Sequence, residues 1–118
     1  QAGAYVDGPL PLYNEYDGTF EDEDKSLAAA KALGSAKWAL LANHGSLVVG
    51  KDLRQAHLRV ATLEWRSQRA YELEQVGGGV PLTDEQVAEI ALPDAHGFPF
   101  LWEAMARREL REDPGIID

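Results

Sequence analysis

The chain has 118 residues, 45% of them apolar and 26% charged, which is enough material for one modest core. With 20 acidic against 11 basic residues its formal charge is −9, a field that repels phosphate backbones and anionic lipid, so neither nucleic acid nor a membrane is an expected partner. Cysteine is absent, which excludes disulfides and thiolate chemistry, leaves His, Asp and Glu as metal donors, and fits a cytoplasmic protein.

No apolar run reaches the roughly 18 residues of a membrane span, and no secretory signal opens the chain. The segment Ala2 to Tyr16 is rich in Gly, Pro and Tyr, and Pro9 and Pro11 exclude a helix there. It reads as an extended loop with a short strand near Val6, and as the middle of something longer. Asp17 to Phe20 is a turn. The acids at 21–24 suit the positive end of a helix, Leu27, Ala28, Ala30 and Leu33 make its apolar stripe, and Gly34 stops it, so a helix is expected over Asp22–Leu33.

Two short apolar runs follow, Trp38–Leu41 and Ser46–Val49, with Ala42-Asn43-His44-Gly45 between them and Gly50 after. Runs of this length bounded by turn residues read as two buried strands joined by a tight polar corner. Two strands do not make a stable sheet, so further strands must come from the opening segment or from chain outside these residues. Asp52 is the expected N-cap of a long helix, with Leu53, Ala56, Val60, Leu63 and Ala70 at helical spacing and Leu58, Ala61 and Trp65 widening the stripe. Gly77–Gly79 ends it. Thr83 and Gln86 form a capping box that starts a short helix, Pro93 to Pro99 is a loop, and a last helix covers Phe100–Arg111 with Leu101, Trp102, Met105 and Leu110 facing inward.

Three histidines are the candidates for chemistry. None belongs to an H-x-H or H-E-x-x-H pair. His44 stands apart because it occupies a strand end at a sheet edge, where a side chain reaches a cleft. Asn43 beside it tolerates an unusual backbone angle, and Gly45 leaves room for the turn or for close approach of a ligand. Two readings of His44 stand: a metal ligand, or a residue satisfying hydrogen bonds at a tight turn. His57, on the long helix beside apolar neighbours, and His96, in a proline-bounded loop near Asp94, read as structural. The serines lack a G-x-S-x-G context, and the 77–79 glycine run lacks the Lys and the strand-to-helix placement of a phosphate loop. The acid run at 21–24 reads as a solvated helix start, and Tyr5, Tyr13 and Tyr16 as packing or interface.

Taken together, LLANHGSLVVGKDLRQAHLRVATLEWRSQRAYELEQ over residues 40–75 resembles the class II aldolase and adducin family. In that family an N-H-G corner is followed by a strand, a glycine and a long helix carrying a Leu-Glu pair, matched here by Leu63-Glu64. YNEYDGTFEDEDKSLAAAKALG upstream is similar to the family's lead-in to the corner, and LWEAMARREL to the tail of longer members. The resemblance implies a layered α/β/α domain, of which 1–118 would be the C-terminal portion. It also implies that His44 is one of three zinc-ligating histidines, the other two coming from an upstream H-x-H and the acid–base carboxylate from further upstream, none of them in this sequence. Zinc held by neutral imidazoles would bind a small hydroxy-carbonyl substrate and stabilise the enediolate in aldol cleavage, epimerisation, dehydration or decarboxylation. Family members are commonly tetramers, so a homo-oligomer is implied. The alternative within the family is a non-catalytic, adducin-like interaction module.

Overall fold

The structure, a computed structural model, describes residues 8–15, 22–90 and 99–116. The expected strand near Val6, the turn at 17–20, most of the 93–99 loop, and Tyr5, Tyr16 and His96 lie outside the described residues. The elements in order are β1 (Leu12–Tyr13), α1 (Glu23–Leu33), β2 (Trp38–Leu41), β3 (Gly45–Val48), α2 (Leu53–Gln75), α3 (Asp84–Ile90) and α4 (Pro99–Glu112).

The three strands form one sheet in the order β1-β2-β3. β2 and β3 are an antiparallel hairpin in which Trp38 faces Val48 and Leu41 faces Gly45. β1 runs parallel to β2, Leu12 beside Leu40 and Tyr13 beside Leu41. A parallel pair needs a crossover, and α1 supplies it. The opening segment therefore does contribute a strand, at Leu12–Tyr13. Pro11 precedes it without harm, because its carbonyl still accepts the Leu40 N–H at 2.8 Å and an edge position asks for no donor.

Alternation along β2 sends its side chains to two helical layers. Trp38, fully buried, and Val48 opposite it pack with Leu58 and Leu63 of α2 and Leu101 of α4. Leu41, Tyr13 and Leu47 pack on the other side with Ala28, Ala29 and Ala32 of α1. The chain is thus an α/β structure with a small sheet between helices, as expected.

The helix boundaries follow from their caps. Asp22 Oδ1 accepts the Asp24 N–H at 2.9 Å and Asp52 Oδ1 accepts the Gln55 N–H at 2.8 Å, each satisfying an N-terminal donor. At the end of α2, Gly78 N–H reaches Leu73 O and Gly77 N–H reaches Glu74 O, the paired bonds of a Schellman turn, with both glycines at positive φ. Thr83 and Gln86 cap α3 reciprocally: the Gln86 N–H donates to Thr83 Oγ1 at 3.3 Å and the Thr83 N–H to Gln86 Oε1 at 3.0 Å.

Two packing expectations need correction. In α1 the buried position is Ala29, while Leu27 is half exposed, because alanines let the helix approach Tyr13 and Leu41 closely. In α2 the inward face is Leu58, Arg59, Thr62 and Leu63, whereas Leu53 is 69% exposed and Val60 49%. The helix is rotated this way because Arg59, 3% exposed, donates to the Val49 carbonyl at the end of β3, and Leu58 and Leu63 close over Trp38. Among the described residues no helix is long and apolar enough to cross a membrane.

Candidate functional site

The β2–β3 corner is a three-residue loop, Ala42-Asn43-His44. Its turn is closed by the His44 N–H donating to Leu41 O at 3.1 Å, and Asn43 sits in the left-handed region at φ 57°. A positive φ at the third position of such a turn is met by Gly or Asn, whose short polar side chain tolerates it. Asn43 thus carries the backbone reversal, and His44 emerges from it, exposed, at the head of β3.

Gly45 was open to two explanations, the turn or the approach of a ligand. Its φ is not in the left-handed region, and a β-carbon built on it would meet nothing within 4 Å. The turn therefore does not require glycine at 45, and position 45 stands in open space at the head of β3. The corner also lies where the parallel strands β1 and β2 both end. The Ala42 N–H donates to Tyr13 O at 3.0 Å, so the turn at Asn14–Glu15 leaves the sheet at the same edge. Carboxyl ends of parallel strands are where α/β sheets receive ligands.

Behind the corner the hairpin is fastened to α2. Gly50 abuts the first turn of that helix, and a β-carbon there would fall 2.6 Å from Ala56 N. The Arg59 guanidinium donates from Nη1 to Val49 O at 2.6 Å and to Gln55 Oε1 at 2.9 Å. Sequence reasoning passed over Arg59, because a charged residue on a helix is ordinarily solvated.

His57 serves a different purpose. It is half-buried between α2 and α4, its Nε2 3.0 Å from Met105 Sδ and its ring edge-on to Trp102 with centroids 5.4 Å apart. It docks α4, with Leu101 in the core and an exposed ion pair from Arg54 to Glu103 at 3.2 Å beside it. The space it borders, about 470 Å³, is walled mainly by Trp102, Met105, Leu110 and Ile116. Of the four α4 residues expected to face inward, Leu101 packs on the core, whereas Met105 and Leu110 are 36% and 39% exposed and line this groove instead.

Among the described residues no three His, Asp or Glu side chains stand close enough to hold a metal ion. His44 is exposed and projects from a turn held at both ends, which fits the part of a single donor. The described residues do not fit a complete metal centre, which would need further donors brought to the corner. Two surface groups are shifted from their ordinary acidity. The Glu85 carboxyl is held below its ordinary range by its own backbone N–H and by the Thr83 hydroxyl, and Glu112 raises Arg108.

Residues 1–71 match the family model described as the Class II Aldolase and Adducin N-terminal domain. That span, more than half of the chain, holds β1, α1, the His44 hairpin and most of α2; α3 and α4 lie beyond it. No curated protein matches the chain.

Proposed function

The chain belongs to the class II aldolase and adducin family, and from that premise we propose that it is part of a zinc-dependent enzyme of the aldolase, epimerase or decarboxylase type, acting on a small hydroxy-carbonyl compound, to which it contributes His44 as a metal ligand. The observation that carries this reading is the corner: an exposed histidine on a left-handed Asn43 turn, at the edge where the parallel strands β1 and β2 both end. On this reading residues 1–118 are one domain, the C-terminal portion of the layered fold, and the remaining donors and the acid–base carboxylate come from outside them. Zinc on neutral imidazoles keeps its charge and an open position for substrate oxygens.

The work of this chain is to present one imidazole in a fixed place. Asn43 sets its direction, the Ala42–Tyr13 bond ties the corner to β1, and Gly50 and Arg59 tie its base to α2. Assembly as a homo-oligomer, tetrameric by analogy with the family, is supported by Leu53 and Tyr71, which α2 leaves exposed at 69% and 67%.

Elemental analysis of the full protein beside His44→Ala tests the proposal. One zinc per chain in the parent and none in a folded His44→Ala variant is the expected result. A parent protein free of metal overturns the enzyme reading and leaves the interaction module.

A further inference from the structure

We infer that Arg59 is the positioning residue for His44, holding the hairpin at a fixed height against α2 through the Val49 carbonyl. This rests on the proposed role of His44 for its functional meaning, but its structural content is separately testable.

The argument starts from burial. Arg59 is 3% exposed, and taking a guanidinium out of water is costly unless its donors are used. One Nη1 donates to two acceptors, Val49 O and Gln55 Oε1. Gln55 Oε1 also accepts the Lys51 N–H at 2.9 Å, and the Gln55 N–H is held by the Asp52 cap. The segment leaving β3 is therefore stitched residue by residue, at Val49, Lys51 and Asp52, to the first two turns of α2. Val49 is also gripped from the β2 side, its N–H donating to Lys37 O at 2.9 Å. From that clamp, β3 runs directly back to Gly45 and His44. The distal end of the hairpin has its own tie at Ala42–Tyr13, so the two anchors define the tilt of the strand that carries the imidazole. A hydrophobic residue at 59 would be equally buried but could donate to neither Val49 nor Gln55, and would leave the tilt free. A buried arginine at that position is thus explained by geometry rather than by stability, since buried ionic groups seldom add net stability.

The test compares Arg59→Met and Gln55→Ala with the parent, measuring hydrogen exchange of the 44–49 amides and zinc affinity by chelator competition. Arg59→Met is expected to speed exchange at His44 and Val49 about tenfold and weaken zinc binding by a similar factor, with the Gly34 amide of α1 unchanged, as loss of a charge-assisted hydrogen bond implies. Gln55→Ala, which keeps the guanidinium, is expected to show the same pattern about threefold. If Arg59→Met does not fold, Gln55→Ala decides alone. Hairpin exchange at the parent rate in a folded variant overturns the inference, as does acceleration spread equally to α1. A parent protein without zinc sinks the metal reading while the exchange data still judge Arg59.

Discussion

Gly50 and the amide nitrogen of Ala56 meet so closely that a β-carbon at 50 would lie 2.6 Å from that nitrogen. The obstacle is backbone at the start of a capped helix and cannot swing aside. Gly50→Ala is therefore expected to lower stability by about 1–3 kcal/mol, as overpacking does. Denaturant unfolding checks it; a loss under about 0.5 kcal/mol, the range of neutral surface changes, would contradict the close fit.

Asn43 at φ 57° gives a second prediction. Asn43→Gly keeps the turn at near-parent stability, whereas Asn43→Val costs about 1–2 kcal/mol, because a β-branched residue is strained in the left-handed region. Thermal unfolding of the pair measures the difference, and equal stability of the two variants would show that the corner has another geometry.

Which face of α2 packs is settled by two truncations. Leu63, 4% exposed against Trp38, should lose about 2–5 kcal/mol on Leu63→Ala. Val60, 49% exposed one turn away, should lose less than about 0.5 kcal/mol on Val60→Ala. Similar losses at both sites would mean that α2 is rotated from the position described.

His57→Ala separates docking from metal binding. Removing the contacts to Met105 and Trp102 is expected to cost about 1 kcal/mol, while zinc content stays at the parent level. Loss of zinc in this variant would make His57 a donor and contradict its role in holding α4 against α2.

The Glu85 carboxyl, lowered below 4.5 by its own backbone N–H and then by Thr83, has a sign that can be checked. A depressed folded value means that its favourable contribution to α3 is present above the ordinary pKa and is lost as pH falls through the depressed one. Carboxyl NMR titration should place Glu85 below a free glutamate, and Thr83→Ala should raise it. An unchanged titration in that variant would show that the capping box does not reach the carboxylate.

Where local chemistry decides structure, the chain could be read directly. Asp22 and Gly34 bound α1, Asp52 starts α2, and Thr83 with Gln86 starts α3, each through hydrogen bonds within a few residues. The hairpin was legible for the same reason, although of its two strands expected to be buried only β2 is, β3 being exposed at Gly45 and Ser46 and half-buried at Leu47 and Val48. What escaped was decided by distant partners. β1 is only two residues long and becomes a strand because β2 pairs with it. The buried face of α2 contains Arg59 and Thr62, so an apolar stripe points to Leu53 and Val60 instead. His44 could be singled out from its corner and from family resemblance. The groups that would complete a metal centre with it lie in no described residue, and periodicity within the chain carries no trace of them.

The unequal edges of the sheet also bear on how the protein behaves at high concentration. Among the described residues, β1 offers a two-residue edge preceded by Pro11, a poor template for a foreign strand, whereas β3 offers four residues, Gly45–Val48, with no described strand beyond it. Strand addition between molecules would therefore begin at β3, starting beside His44. A charged residue at position 45, where a β-carbon would meet nothing within 4 Å, would suppress that aggregation but put a charge next in sequence to His44, so colloidal stability and the setting of the imidazole are decided on the same strand.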